Sequence, residues 1–470
     1  MLQHEVISKV EEIKGKFKSN WLDSEYLLAN LEILGFSKIQ QRYNKSKKSG
    51  IPFNQLLSVL LVLPIIGIKS IYSLSKESNA INICGKDSYY RLLSNQFINW
   101  RSILLSFVKE YLIKDKAFST PINPVKCLIF DDTDIMKTGN TIEGISKIFN
   151  HVSKMYYFGF KLLVAGYWNG SVFIPVDFSF HRENKKKQYG LSHKQRKKQK
   201  QTPRDRKTKA FKRFQELNMK KSDMLIKMFS RVCKRKIPVD YILIDSWFTS
   251  ISLINKIKTI NKDTDIIGMY KYNSKLSVEE KEISIKELKN KSRKPQRCRK
   301  YNSYYHKYVT KINGVKLVVF LSKRGKNGKW HTLVSTDTSL SFTKIIEIYS
   351  IRWSIEVFFK EAKQLFNLGG CQSTNFDVLV AHTTIVLIQY LLTSIKYRIE
   401  AYESIGGMFR EMQQGYIQSK LNERILAIVY KILDILEKFV ESIDLNKITY
   451  ELINSPDIFT NPINTEVSLN

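Results

Sequence analysis

Two short apolar runs that end in acid constrain this chain more than any other feature. Residues 125–130, Val-Lys-Cys-Leu-Ile-Phe, lead into Asp131, Asp132, Thr133 and Asp134. Residues 239–244, Val-Asp-Tyr-Ile-Leu-Ile, lead into Asp245. Runs of this length read as buried strands. Between them, residues 160–168 and 171–180 alternate around Asn169-Gly170, a strong hairpin signal. A helix is expected from about Asp205, carried by Phe211, Phe214, Leu217, Met224, Met228 and Val232. After the second run, a helix to about Ile260 and a strand at 265–269 follow. The order strand, hairpin, helix, strand, helix, strand describes an α/β fold, a mixed sheet with helices on its faces.

Residues 349–368, YSIRWSIEVFFKEAKQLFNL, contain no Gly or Pro and read as one helix. With Tyr349 at zero and about 100° per residue, Arg352, Glu356, Lys360 and Lys363 fall at about 300°, 340°, 20° and 320°. Ile351, Ile355, Phe358, Phe359 and Ala362 occupy a separate arc of roughly 180–280° by the same rule. One face suits a core. The other presents a carboxylate among cations, which a plain solvated face with an i,i+4 pair would also do.

The flanks differ from this centre. Residues 1–120 read as helical, with apolar periodicity at 22–34, 53–63 and 100–112. They form either a DNA-binding domain or a plain helical bundle. Residues 272–340 read as a small β insertion, with strands at 315–321 and 330–335 around Gly325-Lys326-Asn327-Gly328. Residues 121–271 and 341–400 make the two parts of the core. Helices at 378–402 and 417–439 follow, and 401–470 is the expected dimerisation region.

Charge narrows the partner. The net charge is +34 over 470 residues, which points to a polyanion, nucleic acid before a membrane surface. Residues 182–213 hold 15 Lys or Arg against Glu183 and Asp205, and are expected to grip DNA backbone. The five cysteines are scattered without a C-x-x-C, which fits a reducing compartment. The most apolar run, 56–68, is short and broken by Pro64, a buried helix rather than a membrane span. These features make a cytoplasmic, nucleoid-associated protein the expectation.

Metal-dependent phosphoryl transfer on DNA needs carboxylates that converge from separate elements. Mg²⁺ takes hard oxygen donors and needs no His or Cys cluster. Asp132, Asp245 and Glu356 meet that description, as catalytic groups and metal ligands. An ordinary turn-starting Asp is the plainer reading of Asp245 alone. At the first site Asp131, Asp132 and Asp134 remain alternatives. Alternation along a strand would turn Asp131 away from the side Asp132 faces. Arg352, Lys360 and Lys363 suit phosphate binding. Tyr349 could donate to a phosphate or be a half-buried aromatic. Trp353 and Trp330 could stack on an unpaired base, with Trp330 better read as core.

Tyr349, Arg352, Glu356 and Lys363 spell Y-x2-R-x3-E-x6-K, which resembles the signature of the insertion-sequence-four-like group of DDE transposases. The resemblance spans roughly residues 126–367. It implies a ribonuclease-H-like sheet with a β insertion before the Glu356 helix, and a first aspartate that precedes Thr, as Asp132 does. It also implies Mg²⁺ (Mn²⁺ may substitute), a homodimer on double-stranded DNA, and cut-and-paste transposition between terminal inverted repeats and target DNA. The alternatives are a ribonuclease-H-like nuclease without strand transfer, or a non-catalytic DNA-binding regulator.

Overall fold

The apolar run at 125–130 opens a longer strand than expected. Strand β1 spans Cys127–Lys137 and runs through all three aspartates. It pairs residue for residue, antiparallel and without a bulge, with β3, Met155–Trp168. On its other edge β5, Tyr241–Ile244, pairs in parallel with Cys127–Ile129 alone. The acidic part of β1 therefore overhangs the end of β5. A long antiparallel partner is what keeps Asp131–Asp134 extended beyond the apolar run.

This computed structural model describes residues 39, 42–44, 49–76, 83–115, 124–183, 187–271, 275–278, 281–290, 294–312, 314–399, 407–410 and 413–414. The helices expected at 22–34 and 417–439, and nearly all of the 401–470 region, lie outside the described residues.

The hairpin forms where Asn169-Gly170 indicated, between β3 and β4, Phe173–His181. Asn169 Oδ1 accepts the N–H groups of Ser171 and Val172. Gly170 has φ 108, and a Cβ there would lie 2.3 Å from Pro124 Cβ, so only glycine fits this turn. A strand that the sequence did not signal, β2, Ser146–Asn150, also pairs with β3. Strand β6, Asp265–Tyr270, lies parallel to β5. The run β4-β3-β1-β5-β6 thus has the order and directions of a ribonuclease-H-like sheet.

Residues 272–340 do supply strands, but most of them are not set apart. β9 (Gln296–Cys298), β10 (Ser303–Ile312), β11 (Val315–Arg324) and β12 (His331–Ser335) continue the main sheet, through antiparallel pairing of β12 with β6. Among the described residues, β7 (Lys275–Val278) and β8 (Lys281–Ser284) form a separate two-stranded sheet.

Helices cover both faces. The N-terminal region contributes α1 (Phe53–Val62), α2 (Lys86–Leu93) and α3 (Trp100–Asp115). The single helix expected from about Asp205 is two, α4 (Lys209–Gln215) and α5 (Lys221–Lys234), followed by α6 (Ile251–Ile260). Then come α7 (Phe342–Ser350), α8 (Trp353–Gln364) and α9 (Phe376–Ile399). Phe358 of α8 stacks on Phe173 of β4 at 5.1 Å, and Phe376 of α9 packs on Phe160 and Phe180. Helix α5 lies on the opposite face, where Lys221 and Arg231 meet β1 and β4.

Residues Phe376–Ser394 of α9 are long and apolar enough to cross a membrane, yet 94% of that stretch is buried inside the protein. Its Gln389 amide donates to the carbonyls of Leu60 and Leu61 at the end of α1. It is the core helix that joins the N-terminal helices to the sheet.

Candidate active site

Successive side chains on β1 point to opposite faces of the sheet. Asp131 and Thr133 face α8. Arg352 Nη1 donates to Asp131 Oδ2 at 2.9 Å, and Arg352 Nη2 donates to Glu356 Oε1. Lys363 Nζ donates to Thr133 Oγ1 at 2.7 Å. Asp132 and Asp134 face the other way. Lys221 Nζ, at the start of α5, lies 2.9 Å from Asp132 Oδ2. Asp134 takes Lys161 Nζ and, at 3.0 Å, Asn150 Nδ2.

The alternation expected at this strand is therefore present, but the face beside Glu356 belongs to Asp131. The structure does not bring Asp132 to Arg352 and Glu356. No bulge on β1 could turn both neighbours the same way. Lys137, six residues after Asp131, fixes the other end of the arrangement: its ammonium donates to the carbonyls of Gly369 and Cys371 in the loop after α8, each at 2.6 Å.

Residues 349–368 are not one helix. Between α7 and α8 the N–H of Arg352 bonds Tyr349 O at 3.0 Å, and those of Ser354 and Ile355 bond Ile351 O and Arg352 O. Such i to i−3 bonds make a tighter, 3₁₀-like turn. The apolar arc still holds beyond it, since Ile355, Phe358, Phe359 and Ala362 are buried. Tyr349 does not present its hydroxyl to solvent. It donates to Ile244 O at 3.2 Å, the carbonyl just before Asp245, and burial raises its pKa well above the usual phenol range.

Asp245 follows the last residue of β5. Its Oδ1 accepts the N–H of Trp247 at 2.9 Å and of Phe248 at 3.2 Å, so it does start a turn. Its charge also reaches Asp131. Burial pushes the Asp131 carboxyl up to about 6, against the N–H of Asp132 and the Arg352 cation; the neighbouring charges of Asp245 and Asp132 push the same way as burial. Crowded carboxylates of this kind fit a hard divalent cation, which would relieve their mutual repulsion. Among the described residues, no three His, Cys, Asp or Glu side chains form a ready-made metal cluster. The Arg352 guanidinium bridges Asp131 and Glu356.

Trp353 is 62% exposed at the start of α8, and Lys360 is exposed on the same helix. Trp330 packs against the core and stacks on His306 with ring centroids 5.4 Å apart. Sequence reasoning missed Thr133, Lys221 and Trp247 as neighbours of the acids. Lys221 Nζ sits 4.6 Å from the Trp247 ring centroid, and Trp247 is 52% exposed directly beyond Asp245. The proximity of Trp247 to Asp245 in the chain was a usable signal; nothing local marked Lys221.

The basic segment divides. Arg204 is buried between Glu143 and Asp377, with only 3% of its side chain exposed. Arg213 is buried against Glu216 and Phe178 O. Lys194, Lys197, Lys198, Lys200, Arg206, Lys207, Lys209 and Lys212 are exposed. Among the described residues of this segment, the second group is placed to meet a polyanion.

Residues 219–392 match the family model described as the transposase DDE domain. The match takes in Asp245, Glu356 and the whole Tyr349–Lys363 stripe, and begins after β1. It supports a DDE-type transposase. No curated protein matches the chain.

Proposed function

We propose that this chain is a DNA transposase that cleaves at the ends of a mobile element and joins them to target DNA. The observation that carries the reading is the Arg352 side chain paired at once with Asp131 and Glu356, within range of the Asp245 charge. Carboxylates from β1 and α8 share that guanidinium, and in this reading the Asp245 carboxylate at the end of β5 joins them as the third acid for two-metal phosphoryl transfer.

In this reading Asp131, Asp245 and Glu356 would hold Mg²⁺, with Mn²⁺ able to replace it. Bound there, the ions would activate the attacking oxygen, first of water and then of the freed 3′ hydroxyl, and stabilise the leaving one. The protein's own groups do the rest. Arg352 offers a planar fork matched to a phosphate. Lys363 and Lys360 add cations along the same helix. Tyr349 is a positioning residue, which fixes the end of β5 through Ile244 O and so the start of the Asp245 turn. Exposed Trp353 can stack on a base at the cut end. The exposed lysines of 194–212 supply affinity that does not depend on sequence. The substrate is double-stranded DNA, the element's inverted repeats and then the target, bound by a homodimer.

The test is Glu356→Gln. Binding to end DNA, followed by gel shift, should persist. Cleavage should fall by about a thousandfold or more, the several kcal/mol that metal-ion stabilisation supplies. Cleavage at the parent rate would remove Glu356 from the site and end the proposal. Incubation of the parent protein with end DNA, target plasmid and Mg²⁺ should yield joined products; cut ends without joining would mark a nuclease instead.

A further inference from the structure

The turn that joins β2 to β3 is tied to the acidic strand. Asn150 Oδ1 accepts the N–H groups of Val152 and Ser153, each at 2.9 Å, while its Nδ2 reaches Asp134. Lys161 donates both to Asp134 and to Phe149 O. The turn is thus held rigidly to the strand that carries Asp131, with Val152 92% exposed at its tip.

Beside it lies a pocket of about 330 Å³, lined by Lys147, Phe149, His151, Tyr156, Glu183 and Tyr189. That volume lies within the range of small-molecule sites. The Phe149 ring has the rings of His151 and Tyr156 at 5.1 Å. Glu183 Oε2 holds the Phe149 N–H at 3.0 Å. The Arg182 guanidinium lies 4.6 Å from the centroid of the Tyr189 ring that lines the pocket. Gly190 has φ 70, and a Cβ there would come within 3.2 Å of Lys147 Cβ, so glycine lets this wall close on β2. Aromatic faces beside the Lys147 cation suit a flat π-system that carries phosphates.

We infer that this pocket receives an unpaired nucleobase of a bound DNA strand, with Lys147 on a flanking phosphate. The inference rests on the proposed DNA substrate. It adds a base-binding site outside the Asp131–Glu356 stripe, beside a turn tied to β1 through Asp134.

The test uses the full chain carrying Glu356→Gln, so that DNA is not cut. The probes are a duplex with one unpaired 2-aminopurine and the fully paired duplex of the same sequence. The unpaired probe should bind more tightly by roughly 5- to 100-fold, the range expected for one base stacked on an aromatic ring, and its fluorescence should be quenched. Tyr156→Ala should abolish the preference and the quench while paired DNA binds as before. Tyr156→Trp should retain both. Equal affinity for the two probes, or a preference that survives Tyr156→Ala, overturns the inference. Equal loss on both probes in Tyr156→Ala also overturns it, since Tyr156 would then be a general backbone contact. A parent chain that prefers the unpaired probe yet fails to cleave would sink the proposed function and leave the pocket standing; binding of neither probe would sink both.

Discussion

The two faces of β1 carry the same residue type and use it differently. On one face Asp131 and Glu356 share the Arg352 guanidinium of the α7–α8 turn, and Asp131 also feels the charge of Asp245 beyond β5. On the other face Asp132 and Asp134 are matched by lysines, Lys221 from α5 and Lys161 from β3. A lysine for each acid leaves little charge to bind a cation. Two acids sharing one arginine leave an excess of negative charge. The contrast teaches that a carboxylate's role here depends on which helix lies over it, since local sequence is nearly identical.

Neutralising each aspartate in turn is the direct way to break this contrast. Asp131→Asn should lower cleavage by about a thousandfold or more, the scale of a lost metal ligand, whereas Asp132→Asn should stay within about tenfold of the parent. Equal losses in a single-turnover cleavage assay would erase the distinction between the faces.

The inward and outward cations of the basic segment sharpen the same point. Arg204→Ala leaves the buried carboxylates of Glu143 and Asp377 without their shared cation and should cost about 3–5 kcal/mol in denaturant unfolding. Replacing Lys197 and Lys198 by Ala should leave stability within about 0.5 kcal/mol. It should weaken DNA binding and flatten its salt dependence. An unchanged midpoint for Arg204→Ala would mean the buried network is not formed.

A smaller effect concerns pH. The Asp131 carboxyl, held at about 6 in the folded protein, lies above its ordinary value of 3.8. Folding therefore favours its protonated form. The stability it contributes is present below about pH 4 and lost as pH rises through about 6. Without metal, Asp131→Asn should be more stable than the parent by about 1–2 kcal/mol at pH 7.5, with no gain at pH 4. Mg²⁺ should raise the Tm of the parent more than that of the variant. A variant that is less stable at pH 7.5 would show that the Arg352 pairing outweighs the burial of the charge and its repulsion by Asp245 and Asp132.

Much of the sheet was legible because its signals are local. The run at 239–244, the Asn169-Gly170 turn and the strand at 265–269 each announce themselves within about ten residues. The arc from Ile355 to Ala362 was equally plain, and those side chains are buried. What failed were features set by distant partners. β1 continues past Phe130 because β3 runs beside it. β9–β12 join the main sheet because β12 finds the free edge of β6. Tyr349 turns to Ile244 O, a partner 105 residues away that no local pattern could indicate.

The sequence by itself determined which chemical groups were present and roughly which element each would ride on: acids at 131–134 and 245, Glu356 on a helix with Arg352 and Lys363. Only the folded chain decided which of two adjacent aspartates joins them. A strand turns each successive side chain to the opposite face. Which face becomes the site is fixed by α8 packing on one side of the sheet and α5 on the other, contacts between segments about a hundred residues or more apart in the chain.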